Sequence, residues 1–83
     1  MALANNNPNP ATRSAVVVPS DAAMLDEPAR SLWVGNGGTL VVMLTDDAEP
    51  RTFVNVAPGV FPVSVKKVLA SGTTASGIIA LMG

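Results

Sequence analysis

Arg30-Ser31-Leu32-Trp33-Val34, then Gly35-Asn36-Gly37-Gly38, then Thr39-Leu40-Val41-Val42-Met43-Leu44-Thr45 is the stretch that decides the class of fold. Two short runs of apolar, aromatic and β-branched residues, each too short for a stable helix, are separated by glycine-rich punctuation, which is the pattern of strands joined by a turn. Asn36-Gly37 offers the positive φ angles of a type I′ turn, so the two runs are expected to form a hairpin. Leu40 to Leu44 is apolar at both parities, so its strand should be central and covered on both faces.

The same rhythm continues downstream. Asp46-Asp47-Ala48-Glu49-Pro50 reads as a reversal, and Arg51-Thr52-Phe53-Val54-Asn55-Val56 as a returning strand. Ala57-Pro58-Gly59-Val60 fits a type II turn, with proline presetting φ at its second position and glycine tolerating positive φ at its third. Phe61, Val63 and Val65 share one parity while Pro62, Ser64 and Lys66 share the other, predicting a half-buried strand. Pro62 cannot donate to a ladder and places that strand at an edge. Beyond Lys66-Lys67-Val68-Leu69-Ala70 and the small-residue loop 71–77, Ile78-Ile79-Ala80-Leu81-Met82 predicts a last, well-packed strand.

Upstream, Ala15-Val16-Val17-Val18 reads as a short first strand stopped by Pro19. Ser20 and Asp21 are placed to cap one helical turn over Ala22-Ala23-Met24-Leu25, which Asp26-Glu27-Pro28 would close. Residues 1–14, MALANNNPNPATRS, carry turn and polyproline formers without an apolar period, and read as an extended N-terminal arm. The expected organisation is therefore an arm over 1–14 and a single β domain over 15–83. Its fold class is all-β: a small antiparallel β-sandwich or barrel of about six short strands.

Composition narrows the function. The 83 residues include no Cys, His or Tyr, which removes disulfides, the usual zinc sites and the side chains most readily used as nucleophile or neutral-pH base. The chain is expected not to be an enzyme and to carry no cofactor or metal. Five basic residues against six acidic ones give a net charge of −1, and no basic run exceeds Lys66-Lys67, so neither nucleic acid nor an anionic membrane is expected as a partner. Neither a signal-peptide pattern nor an apolar run of the roughly 18–20 residues of a membrane span is present, pointing to synthesis in a host cytoplasm. Small domains without disulfides or metals commonly gain stability from subunit contacts, so one copy is expected to need neighbours to complete its packing.

Asp46, Asp47 and Glu49 match no ion-binding loop and read as a solvated turn. Gly35-Asn36-Gly37-Gly38 lacks the strand-to-helix context of a phosphate loop. Lys66 and Lys67 suit an edge that must resist unwanted pairing, or a contact with an acidic partner. Trp33 reads as an anchor in the core or at a subunit interface, and Met24, Leu25 and Trp33 as a patch exposed until assembly. The candidate interface residues are Asn5, Asn6, Asn7, Pro8, Pro10, Arg13, Met24, Leu25, Trp33, Pro62, Lys66 and Lys67.

Ala29-Arg30-Ser31-Leu32-Trp33-Val34-Gly35, Phe53-Val54-Asn55-Val56-Ala57-Pro58-Gly59, Phe61-Pro62-Val63-Ser64-Val65-Lys66-Lys67-Val68, Ala70-Ser71-Gly72-Thr73-Thr74-Ala75 and Ile78-Ile79-Ala80-Leu81, with Pro19-Ser20-Asp21 before them, resemble the head spike-base proteins of tailed phages and gene transfer agents. The resemblance implies a virion structural protein on the capsid exterior, assembled with itself in a ring at vertices, a pentamer being one candidate size. It implies two further partners, the major capsid protein and a spike or fibre protein. A capsid decoration (cement) protein is the first alternative, separable by counting copies per particle. A small ligand- or glycan-binding β module is the second, and the small number of aromatics, all within predicted strands, weighs against it.

Overall fold

The computed structural model describes residues 11–83. Seven strands follow one another: β1 (Arg13–Val16), β2 (Ser31–Asn36), β3 (Gly38–Leu44), β4 (Arg51–Val56), β5 (Gly59–Phe61), β6 (Val65–Val68) and β7 (Ser76–Met82). They form two antiparallel sheets, one of four strands in the order β1-β7-β2-β5 and one of three in the order β4-β3-β6. The all-β sandwich expected from the sequence is the fold observed.

Alternation explains the core. Leu32 and Val34 of β2, Ile78, Ala80 and Met82 of β7, Leu40 and Val42 of β3, and Val65 and Val68 of β6 are buried between the sheets. The filling is almost wholly aliphatic, as the scarcity of aromatics requires. Phe53 of β4 and Phe61 of β5 add the one aromatic contact, edge to face at 5.1 Å between centroids and 77° between planes. Since β4 and β5 belong to different sheets, this pair ties the sheets together at one end.

Several connections differ from the sequence-based expectation. No hairpin joins β2 to β3, because the two strands belong to different sheets. The tail of β2 stays with β7 through Asn36 opposite Ser76, where the Asn36 amide donates to the Ser76 hydroxyl at 3.0 Å, and Gly37 carries the chain across. Gly59 has the expected positive φ of 121°, but it too leads from one sheet to the other. β1 begins at Arg13 rather than Ala15, since the backbone of Arg13 and Ser14 already pairs with Met82 and Leu81. The N-terminal arm lies, for residues 1–10, outside the described residues.

The helical turn over Ala22–Leu25 does not form. Ser20 Oγ does accept from the N–H groups of Ala22 and Ala23, but the following backbone is drawn out against β6 instead. Ser20 N–H donates to Val68 O, Leu25 N–H to Lys66 O, and Ala29 and Val65 exchange a pair of bonds. Residues 20–29 thus form a strap along β6, held at its start by Asp21, whose carboxylate accepts from the N–H groups of Ala70 and Ser71, each at 2.9 Å, and from the Ser71 hydroxyl.

β3 is central, as expected, and the loop after β6 runs beside it. Thr73 Oγ1 accepts from Val41 N–H and Thr74 Oγ1 from Thr39 N–H, so the 70–75 segment continues the ladder along β3 beyond β6, and Gly72 packs close to the Val41 side chain. β4 bends where Asn55 adopts φ 57° beside a register shift between Gly38 and Leu40 of β3. Asn is one of the few non-glycine residues that tolerate this conformation, and the result is a bulge.

Candidate interaction surface

Trp33 lies on neither of the faces that meet in the core. Its neighbours Leu32 and Val34 point inward and are fully buried, so alternation turns the indole to the outer face of the four-stranded sheet, where it is 44% exposed. The registers then place its neighbours. Trp33 is opposite Ile79 on one side and Val60 on the other, and Ile79 is opposite Val16. A single row, Val16–Ile79–Trp33–Val60, crosses all four strands, spanning about 14 Å at normal strand spacing. Val16 is 80% and Val60 60% exposed.

The surface around this row carries no charge on three of its strands: β2, β5 and β7 contain no Asp, Glu, Lys or Arg. The opposite sheet differs, with Arg51 on β4 and Lys66-Lys67 on β6. Among the described residues, five of the six large exposed apolar side chains, Val16, Val18, Met24, Trp33 and Val60, lie on the outer face of the four-stranded sheet or around its β1 end, with Val54 the exception. The apolar row therefore crosses a face that is uncharged on β2, β5 and β7 and meets charge at its β1 end, at Arg13 and Glu27, a distribution that favours contact with another protein across the row.

At the β1 end a groove of about 330 Å³ runs between β1 and the strap, lined by Val16, Val17, Val18, Met24, Leu25 and Glu27 among others. Arg13 holds Glu27, one of the lining residues. Its guanidinium donates to both carboxylate oxygens of Glu27, at 2.8 Å from Nη1 to Oε1, and from Nη2 to the carbonyl of Gly83 at 2.7 Å. The hydrogen bonds from Arg13, aided by its charge, hold the Glu27 carboxyl below its ordinary value.

The sequence-based candidates thus scatter. Trp33 is on the apolar row, Met24 is exposed at the groove, and Leu25 beside it is half-buried against the core. Met24 and Leu25 do not adjoin Trp33; Val16 and Ile79 lie between. Arg13 is on β1, and Pro62 is exposed just past β5. Lys66 and Lys67 are half-buried on the other sheet, under the strap. Asn5, Asn6, Asn7, Pro8 and Pro10 lie outside the described residues. Sequence reasoning misses Val16, Ile79 and Val60, because Ile78-Ile79 and Val16-Val17 are apolar at both parities and only pairing decides which member faces out. Among the described residues no cluster of three or more Asp or Glu could hold a metal ion, and no helix is long and apolar enough to cross a membrane.

No family model matches the sequence, and no curated protein matches it. A solved structure does: a chain from the capsid of a native gene transfer agent particle, computed with C5 symmetry, is 35% identical, with a TM-score of 0.78 over 94% of this chain and 90% of that one. Fold and sequence agree over nearly the whole of both chains, and this protein therefore belongs to the family of that gene transfer agent capsid chain, as a structural component of a phage-like particle.

Proposed function

We propose that the protein is a head spike base: a homo-oligomeric ring on the capsid exterior, at the vertices, that presents a platform for a spike or fibre. The observation that carries this reading is the uncharged Val16–Ile79–Trp33–Val60 row on a chain of this family, since contiguous exposed apolar surface of this kind commonly marks a contact with another protein. The similar chain is a component of a gene transfer agent capsid, which supports a place on a phage-like particle. The residues before β1 supply the capsid contact as an extended arm, and the charged side of the sandwich is left free. The role needs no catalytic group.

Locating the protein in a cryo-EM map of the intact particle tests this. Density confined to vertices beneath a spike is the expected result. Copies spread over the whole lattice would make the protein a decoration protein and overturn the spike-base reading.

A further inference from the structure

Each sheet has two edges, and the four are treated differently. The free side of β6 is occupied by the strap, which bonds to Val65, Lys66 and Val68, and β6 carries two lysines. β4 is bulged at Asn55 and carries Arg51. Both devices discourage pairing with another chain.

The edges of the four-stranded sheet are protected differently: among the described residues β1 has no strap along residues 14–16, while β5 is only three residues long and lies between Pro58 and Pro62, which have no N–H to donate, so Val60 supplies its outward N–H. Val17 N–H donates to Ile78 O, so by the alternation of an antiparallel ladder Ser14 and Val16 turn their backbone groups away from β7. No described residue accepts from or donates to them. β5 is likewise paired on one side only, with β2.

We infer that β5 of one copy pairs with β1 of a second copy, joining the four-stranded sheets into one continuous sheet around a ring. The inference rests on the homo-oligomeric part of the proposed function and names the surface that builds it. Three observations select a second copy as the occupant. The two open edges sit at opposite ends of one sheet, so each copy offers one of each, which is the requirement of a head-to-tail interface that closes by rotation. All four strands are antiparallel and even in number, so β5 and β1 run in opposite directions, and a neighbour related by rotation about an axis along the strands meets β5 with an antiparallel β1. Finally, the exposed row ends in Val60 at one edge and Val16 at the other, so pairing sets these two apolar side chains side by side, with the groove at β1 leaving room beneath the incoming strand.

The test uses the full chain and three variants. Val16→Pro removes an outward N–H of β1; Val16→Lys serves if the proline variant does not fold, judged by cooperative melting. Val60→Lys places a charge at the β5 end of the row. Native mass spectrometry should give a ring for the wild type, monomers for each variant alone, and a one-to-one dimer when a Val16 variant is mixed with Val60→Lys, because that mixture retains one intact pair of edges. The Val16 amide should exchange slowly in the ring and at least tenfold faster in the Val60→Lys monomer. Rings that persist in folded variants, or a mixture that yields no dimer, would overturn the edge pairing while leaving the spike-base reading intact. A Val16 amide equally protected in the monomer would show that the chain fills its own edge, and would likewise overturn the pairing alone. A wild type that stays monomeric at its solubility limit would overturn both.

Discussion

Phe53 and Phe61 meet edge to face across the sandwich, one from each sheet. In a core otherwise built of small aliphatic side chains, this contact joins β5, a three-residue strand held by a single ladder, to the opposite layer. Phe53→Ala should cost about 2–4 kcal/mol, toward the lower end for large-to-small changes because the ring is only half-buried. Together with Phe61→Ala, a double-mutant cycle should give a coupling of about 0.5–1.5 kcal/mol. Denaturant unfolding measures both.

Asp21 should confer a pH dependence on stability. Its carboxyl is held below the usual 3.8, first by the Ser71 hydroxyl and then by the backbone of Ser71 and Ala70. A group whose value is lower in the folded state contributes stability that is full above its unfolded value and disappears as pH falls through the folded one. Asp21→Ala should therefore lower the melting midpoint at neutral pH, and the gap to the wild type should narrow below pH 3.8. A constant gap down to strongly acid pH would show that the strap is held by other contacts.

Gly37→Ala should be destabilising by about 1–3 kcal/mol, as for forced overpacking. A Cβ at this position would run into the carbonyl oxygen of Val56 and the ring of Pro58. Both belong to the neighbouring crossover, where neither can move without shifting β4 or β5. Thermal melts of the variant check this directly.

Trp33 is the sole tryptophan and half-exposed in one copy, so its fluorescence should report assembly. Emission should lie at longer wavelength in the Val60→Lys variant than in the wild-type oligomer, and dilution of the wild type should move it the same way. Identical spectra would place Trp33 outside any interface.

Deleting residues 1–10 should leave the melting midpoint unchanged, since β1 begins at Arg13, while particles assembled with the shortened chain should lose the protein on washing. Retention on the particle would remove the arm from the capsid contact.

Most strands are legible in the sequence, and the links between them are not; the stretch from Phe61 to Lys66, expected as one edge strand, is broken over residues 62–64, with β5 ending in one sheet and β6 beginning in the other. β4 falls where Arg51–Val56 alternates, and the last strand where Ile78–Met82 is apolar, because short β-branched runs bounded by Gly, Pro and Asp have few other solutions. Asn36-Gly37 misleads because the dipeptide specifies a local conformation, whereas the partner of each strand is set by long-range register. Gly35 lies so close to Gly77 that an added Cβ would be 3.1 Å from its carbonyl, and this approach keeps the end of β2 with β7 rather than folding it back on β3. The helical turn fails for a related reason: the Ser20 cap forms, but the backbone groups after it find partners on β6. Trp33 reads as an anchor from the sequence alone, but its neighbours in the exposed row come from strands distant in sequence.

β7 lies between β1 and β2 although it is the last of the seven strands in the sequence, and among the described residues β1 pairs with β7 alone. The order of β1 as an edge therefore depends on β7, which docks between it and β2. On the proposed edge pairing, a copy whose β7 is not in place has no ordered β1 to offer a neighbour, so closure of its own four-stranded sheet would have to precede its entry into a ring.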